Sequence, residues 1–306
     1  MFDYIVVGGG SAGCVLASRL SEDAGVRVLL LEAGGADRHP FIHIPAAFSR
    51  LFKTAVDWQL STEPQTHLHQ RRLYWPRGKV LGGSSSINAM IYVRGHHQDY
   101  DEWQAMGNDG WGFADVLPYF KKCENQERGA SAYHGVGGPL NVADLAAPNP
   151  LSQAYLQACT QVGLPRNEDF NGPHQEGVGL NQVNQKAGRR VSAAGPFRGA
   201  ERLPGPHIVT EEELIADIRN RLETLYHPAG TCKMGQDALS VVNPRLQVHG
   251  VRGLRVVDAS IMPALVGGNT NAPVVMIAEK AVDLMLDRSP PRREAIARVA
   301  ADNLSG

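Results

Sequence analysis

The sequence predicts an α/β fold with a parallel sheet, and three observations carry that prediction. A short, fully apolar run at Tyr4-Ile5-Val6-Val7 leads into a glycine turn, Gly8-Gly9-Gly10-Ser11-Ala12-Gly13. The turn opens a helix that runs to about Leu20. A second apolar run, Val26–Leu31, follows and ends in Glu32. Strand, turn, helix and strand in that order make a βαβ unit, whose crossover requires the strands to lie parallel.

The remaining elements follow in order. Residues 33–75 hold Pro40, Pro45 and Pro64 and are expected to be a long irregular excursion over the surface. Helices are expected at 114–123 and 149–163. In the second, Leu151, Ala154, Tyr155, Ala158, Cys159 and Val162 repeat at helical offsets and predict one buried apolar face. Three glycines and three prolines between 195 and 206 mark a junction. A helix is expected after it, because Thr210 and Glu213 form a capping box and Glu211 and Glu212 favour its positive start. Leu254–Val257 reads as another apolar strand. Pro273 suits the first turn of a last helix that buries Val274, Ile277, Ala278, Ala281 and Met285. This order divides the chain into a discontinuous dinucleotide-binding domain (1–95 and 225–288), a reduced α+β substrate or cap region (96–224) and a polar tail (289–306).

Composition excludes several functions. With 30 Lys+Arg against 31 Asp+Glu, the formal net charge is −1, which gives no field to attract nucleic acid or an anionic membrane. No apolar run approaches the roughly 20 residues of a membrane span, and Phe2–Val7 already reads as structure, not as a leader. Cys14, Cys123, Cys159 and Cys232 are scattered without a C-x-x-C pair, which suits a reducing compartment. A soluble, cytoplasmic protein is expected. His67-x-His69 and His96-His97 lack further ligands at helical spacing, so no metal site is expected.

The chemistry begins at the glycine turn. Gly8-x-Gly10-x-x-Gly13 matches the Rossmann-like dinucleotide fingerprint: a tight turn, a close backbone approach to the pyrophosphate, and a close helix–strand contact. The diphosphate is expected at the helix start, where free N–H groups and the dipole favour anions. Glu32 stands about 20 residues past Gly13, where a ribose hydroxyl partner is expected. Gly9-x-Ser11-x-Gly13 also fits the G-x-S-x-G pattern of a hydrolase nucleophile, but too little chain precedes Ser11 for the strands and oxyanion loop that site needs. Glu32 suits FAD and NAD alike, so the turn alone leaves both cofactors open.

Three later segments narrow the choice. Arg77-Gly78-Lys79-Val80-Leu81-Gly82-Gly83-Ser84-Ser85-Ser86-Ile87-Asn88 offers backbone N–H groups and small hydroxyls suited to a flat polar ring or a phosphate. Tyr226-His227-Pro228-Ala229-Gly230-Thr231 lies near the other end, followed by Val256-Val257-Asp258-Ala259-Ser260 and Gly268-Asn269-Thr270-Asn271-Ala272-Pro273. With these motifs in this order, the chain resembles the glucose–methanol–choline family of FAD-dependent alcohol oxidoreductases over about residues 1–194 and 201–287. The resemblance implies that Gly8, Gly10, Ser11, Gly13 and Glu32 hold the ADP half of FAD. It implies that Gly82, Gly83, Ser84 and Asn88 line the diphosphate and flavin side, with Asp258 at the ribityl–diphosphate region. His227 matches the family's active-site histidine and Asn271 its usual His-or-Asn partner. Some members tether flavin through a histidine where this chain has Ile87, so a non-covalent flavin is expected. The implied reaction oxidises the CH–OH group of a small-molecule alcohol by hydride transfer to flavin N5, with His227 as base.

After Ala194 the family continues for a long stretch that includes most of the sheet roofing its substrate pocket. Here the chain passes directly to the 195–206 junction and the penultimate helix. Strands left with open faces and edges favour self-association. The alternative to an enzyme is a flavin-binding remnant without turnover.

Overall fold

In the computed structural model, residues 1–191 and 226–291 are described. The expected βαβ unit is present: β1 (Tyr4–Val7), α1 (Ser11–Leu20) and β2 (Val28–Leu31). The strands pair parallel, Tyr4 opposite Val28 and Val7 opposite Leu31. Tyr4, Val6, Val28 and Leu30 face the core, while Ile5, Val7 and Leu31 are exposed. Parallel sheets are ordinarily covered on both faces; this one, among the described residues, is covered on one.

The next helices longer than eight residues are α2 (His97–Ala105) and α3 (Phe113–Cys123). His96 caps α2: its Nδ1 accepts from the Gln98 N–H, and Asp99 reaches back to the His96 N–H, a reciprocal capping box. His97 stacks on Phe113 with 3.7 Å between ring centroids. These two histidines are thus cap and packing groups. Parallel strands β3 (Glu124–Gln126) and β4 (Leu140–Val142) follow, then α4 (Pro150–Gln161), capped by the Asn149 side chain. The last described helix, α5 (Asn271–Met285), takes Pro273 in its first turn and buries Ile277, Ala278 and Ala281 as expected, together with Met276 and Val282.

One core joins α1, α3 and α5 with the inner face of β1 and β2. Trp103 and Trp111 are fully buried in it, and their indole N–H groups donate to the carbonyls of Ala264 (3.0 Å) and Pro244 (2.9 Å). Glu279 on α5 is 1% exposed and is held by Arg19 of α1 at 2.7 Å and Lys122 of α3 at 2.9 Å. This core runs across residues 96–123 as well as the two outer segments, so α2 and α3 pack with β1, α1, β2 and α5.

Two expectations need correction. Leu254–Val257 forms no strand; Arg255 makes one isolated antiparallel bridge to Gln247, and Leu254 is half exposed. Residues 246–248 do lie alongside it, with the Val248 N–H donating to the Leu254 carbonyl at 3.0 Å and the Val256 N–H to the Leu246 carbonyl at 3.2 Å, but the pairing ends at that single bridge. Helix α4 forms, but Leu151, Tyr155 and Val162 are 71, 67 and 79% exposed; only Leu156 and Cys159 are buried. Its apolar periodicity lacks a covering surface among the described residues. The helix expected at Thr210–Glu213 lies outside the described residues.

Candidate active site

A cleft of about 1970 Å³ runs between the start of α1 and the start of α5. Gly8, Gly10, Ser11, Gly13, Ser84, Asn88, His227, Asp258 and Asn271 all line it, drawn from both ends of the chain. Glu32, Gly82 and Gly83 stand just behind it. Glu32 accepts from the N–H groups of Gly9 and Gly34, each at 2.7 Å, and so braces the glycine turn. The Gly82 N–H donates to the Gly9 carbonyl at 2.7 Å.

Two glycines are required by close approach. A Cβ on Gly13 would meet the Gly8 carbonyl oxygen at 1.8 Å, and one on Gly83 would meet the Gly10 Cα at 2.7 Å. The second contact shows how the two glycine-rich segments lock together, backbone against backbone. By contrast, a Cβ on Gly8 or Gly10 would meet nothing within 4 Å. Those positions open toward the cleft and leave room for a ligand at the turn.

The start of α1 has neither a side-chain cap nor an acid in its first turn. The same holds for the start of α5. The two starts meet directly, because Ser11 Oγ donates to Asn271 Oδ1 at 2.8 Å. Two helix N-termini with free N–H groups therefore face one cleft, and their dipoles add rather than cancel there. Such a site attracts an anion, and a diphosphate satisfies both ends at once.

His227 is half-buried above Thr270 and Asn269. Asn269 Nδ2 lies 3.0 Å from His227 Nε2, and Thr270 Oγ1 lies 2.9 Å from Nδ1. An amide N–H donating to Nε2 leaves the proton on Nδ1, which then donates to the threonine hydroxyl. Burial, and the nearby Arg77 guanidinium, push the His227 pKa below its ordinary value, so the ring is neutral near pH 7. Arg77 donates to the carbonyls of Pro76 (2.8 Å) and Tyr226 (2.6 Å), and burial pulls its own pKa down to about 10.

Sequence reasoning named His227 and Asn271 but missed what surrounds them. Asn271 is bonded to Ser11, while the histidine's partners are Asn269 and Thr270. Arg190 was also missed. Its buried guanidinium binds the carbonyls of Ile42, Ser85 and Asn88 and the Asn88 Oδ1, all at 2.9–3.0 Å. Among the described residues no carboxylate neutralises it, and burial pulls its pKa down to about 9. The only sequence signal was an arginine in the run Gly188-Arg189-Arg190, which does not distinguish a buried clamp from a surface charge. Asp258 spends its carboxylate on the Ser260 N–H, at 2.8 Å. Among the described residues no three His, Cys, Asp or Glu side chains come together to hold a metal ion. None of the described helices is long and apolar enough to cross a membrane.

Two family models described as GMC oxidoreductase match residues 2–211 and 178–278. The chain is 30% identical to "Alcohol dehydrogenase [acceptor]" of Pseudomonas putida over 528 aligned positions, covering 94% of this chain and 96% of the relative. Since the chain has only 306 residues, more than two hundred positions of that relative face a gap. An oxygen-dependent choline dehydrogenase of Sinorhizobium fredii is 48% identical over 64% of this chain but only 36% of its own length. In that match the chain spans about a third of the relative. Pyridoxine 4-oxidase from Mesorbium loti shares the fold at a TM-score of 0.86 and 24% identity, over 94% of this chain and 100% of that one. A formate oxidase of Aspergillus oryzae, studied for FAD modification, is 30% identical with a TM-score of 0.57, over 62% of this chain and 35% of its own. Matched over most of its length and toward both ends, the chain belongs to the GMC oxidoreductase family, whose cofactor is FAD.

Proposed function

We propose that the chain binds FAD in the cleft between α1 and α5 and oxidises the CH–OH group of a small alcohol, with His227 as base. The observation that carries this reading is the meeting of two uncapped helix N-termini at Ser11 and Asn271, beside a histidine kept neutral. Gly8, Gly10, Ser11 and Gly13 hold the ADP half, with Glu32 fixing the turn and reaching the ribose. Ser84, Asn88 and Asp258 serve the diphosphate and flavin side, and Gly82 and Gly83 let the two loops close. Ile87 is 2% exposed and offers no tethering nitrogen, so the flavin is non-covalent.

Oxidising an alcohol removes a proton from oxygen and a hydride from carbon. FAD supplies the acceptor for the hydride, leaving the proton and the geometry to the protein. His227 Nε2 carries the lone pair that receives the hydroxyl proton once substrate displaces or shares the Asn269 contact. Thr270 holds the opposite nitrogen and fixes the tautomer. Asn271 has its Oδ1 engaged by Ser11, so its amide N–H remains to donate to the substrate oxygen.

A second reading, flavin binding without turnover, is favoured by the bare face of the β1–β2 sheet beside this cleft. One experiment separates the two. The purified chain is examined by visible spectroscopy and then mixed with primary alcohols without oxygen. A yellow protein whose colour bleaches, and bleaches roughly 10²–10⁴-fold more slowly as His227→Ala, supports the enzyme. A yellow protein that no alcohol reduces establishes the binding-only reading, and a colourless one refutes both.

A further inference from the structure

The cleft is larger than an ordinary small-molecule site. Small-molecule sites occupy roughly 300–1,000 Å³, whereas this one reaches about 1970 Å³. It continues from the glycine turn along Tyr4–Val7, with Leu254–Val257 lining it as well. Among the described residues, the backbone of β1 is half used. The N–H groups of Tyr4 and Gly8 donate to the Arg27 and Leu31 carbonyls on the β2 side, so the alternate residues Ile5 and Val7 direct theirs to the opposite edge. The side chains of Ile5 and Val7 are 60 and 81% exposed on the uncovered face, beside Leu31 at 45%. Helix α4 likewise carries an apolar stripe that no described residue covers. A soluble protein does not ordinarily leave a parallel sheet open on one face and one edge.

The comparisons show what is missing. More than two hundred positions of the Pseudomonas putida relative face a gap that lies inside the alignment, with matched sequence on both sides. We infer that the bare face and free edge of the β1–β2 sheet dock a separate polypeptide equivalent to that internal segment. The partner lays an extended strand along β1, accepting hydrogen bonds from Ile5 and Val7, and covers Ile5, Val7 and Leu31 with apolar side chains. Strand addition at a free edge draws affinity from main-chain bonds and specificity from the alternating side chains. The inference concerns assembly and holds whichever chemistry the cleft performs.

The probe is the internal segment of the Pseudomonas putida alcohol dehydrogenase, expressed as its own chain and mixed with this protein. Three measurements are made: mass of the mixture by light scattering, hydrogen exchange at Ile5 and Val7, and the effect of Ile5→Glu. The expected result is a one-to-one complex in which both amides exchange at least tenfold more slowly. Ile5→Glu, at an exposed position, should keep the circular dichroism of the isolated chain and weaken the complex at least tenfold. A fusion with the same segment inserted within residues 195–206 tests whether the segment itself is competent. Protection in the fusion without binding of the separate segment overturns the inference, as does no protection in either. Protection of Ile5 and Val7 in the chain alone also overturns it, because the chain's own residues then cover the face. So does a dimer of the chain alone that Ile5→Glu dissociates, since a second copy is then the occupant.

Discussion

The ring nitrogens of His227 have different jobs, and that asymmetry is testable. Burial and Arg77 lower its pKa, so the neutral base persists to lower pH than for an ordinary histidine, whose pKa is about 6.5. The rate of alcohol oxidation is therefore expected to rise with pH through a midpoint below that value and to be flat at pH 7 and above. Arg77→Met removes the cation that opposes protonation, so the midpoint should move upward; a downward shift or none contradicts the assignment. Thr270→Val keeps the shape of the buried threonine and removes its hydroxyl. It should lower kcat about tenfold while leaving the bound flavin spectrum unchanged, since the loss of one orienting hydrogen bond costs roughly 1–1.5 kcal/mol. At this scale the sequence picked out candidate residues but not their hydrogen-bond partners. His227 and Asn271 stood out by motif, whereas their observed partners Thr270, Asn269 and Ser11 are small polar residues with no periodicity or charge to mark them.

Elements are held together here by a few buried charges placed between helices. Glu279 joins α5 to α1 and α3 through Arg19 and Lys122, and the hydrogen bonds that Arg19 donates to the Glu279 carboxylate hold its guanidinium above its ordinary pKa. Glu279→Ala should cost about 2–3 kcal/mol, below the roughly 3–5 kcal/mol of a wholly buried pair, because Arg19 and Lys122 are partly solvated. Urea unfolding measures it. A second cluster, Arg94, Glu124, His134 and Asp169, anchors the start of β3. His134 lies 2.8 Å from Asp169 and 3.1 Å from Glu124, and Arg94 lies 2.8 Å from Glu124. Burial disfavours the His134 cation, but its two carboxylate partners outweigh burial and raise its pKa. A raised folded-state pKa adds stability that is full below the unfolded value of about 6.5 and is lost as pH climbs through the folded value. The wild type should therefore lose more stability than His134→Gln between pH 6 and pH 9; equal slopes would remove His134 from the linkage. Elements fixed by local signals were legible: β1, α1 and α5 lie where strand pattern, glycine turn and Pro273 place them. Leu254–Val257 was not, because its pairing with residues 246–248 ends after one bridge, and α4 shows an apolar face that no described residue covers.

Across the whole molecule, the cleft is the meeting place of residues far apart in sequence. Its lining comes from the first hundred residues and from residues 226–285, joined across the cleft by Ser11–Asn271 and Arg77–Tyr226. Motif order made that convergence legible, since both glycine-rich loops and the His227 and Asn271 segments belong to one family pattern. The open sheet was legible only as a missing stretch; which face it bares depends on the pleat of β1, which sequence alternation in an all-apolar strand cannot show. A ligand gripping both segments stabilises the folded chain by mass action, about 2.7 kcal/mol at a hundred times its Kd. At about 2.1 cal/mol/K of unfolding entropy per residue, that stabilisation should raise the Tm of this 306-residue chain by about 4 °C at saturating FAD. Gly13→Ala places a methyl against the Gly8 carbonyl and must distort the turn. Its Tm should fall without FAD and show little of the FAD-dependent rise. A full rise in Gly13→Ala would mean that the cofactor does not sit on the glycine turn, whatever else the cleft accepts.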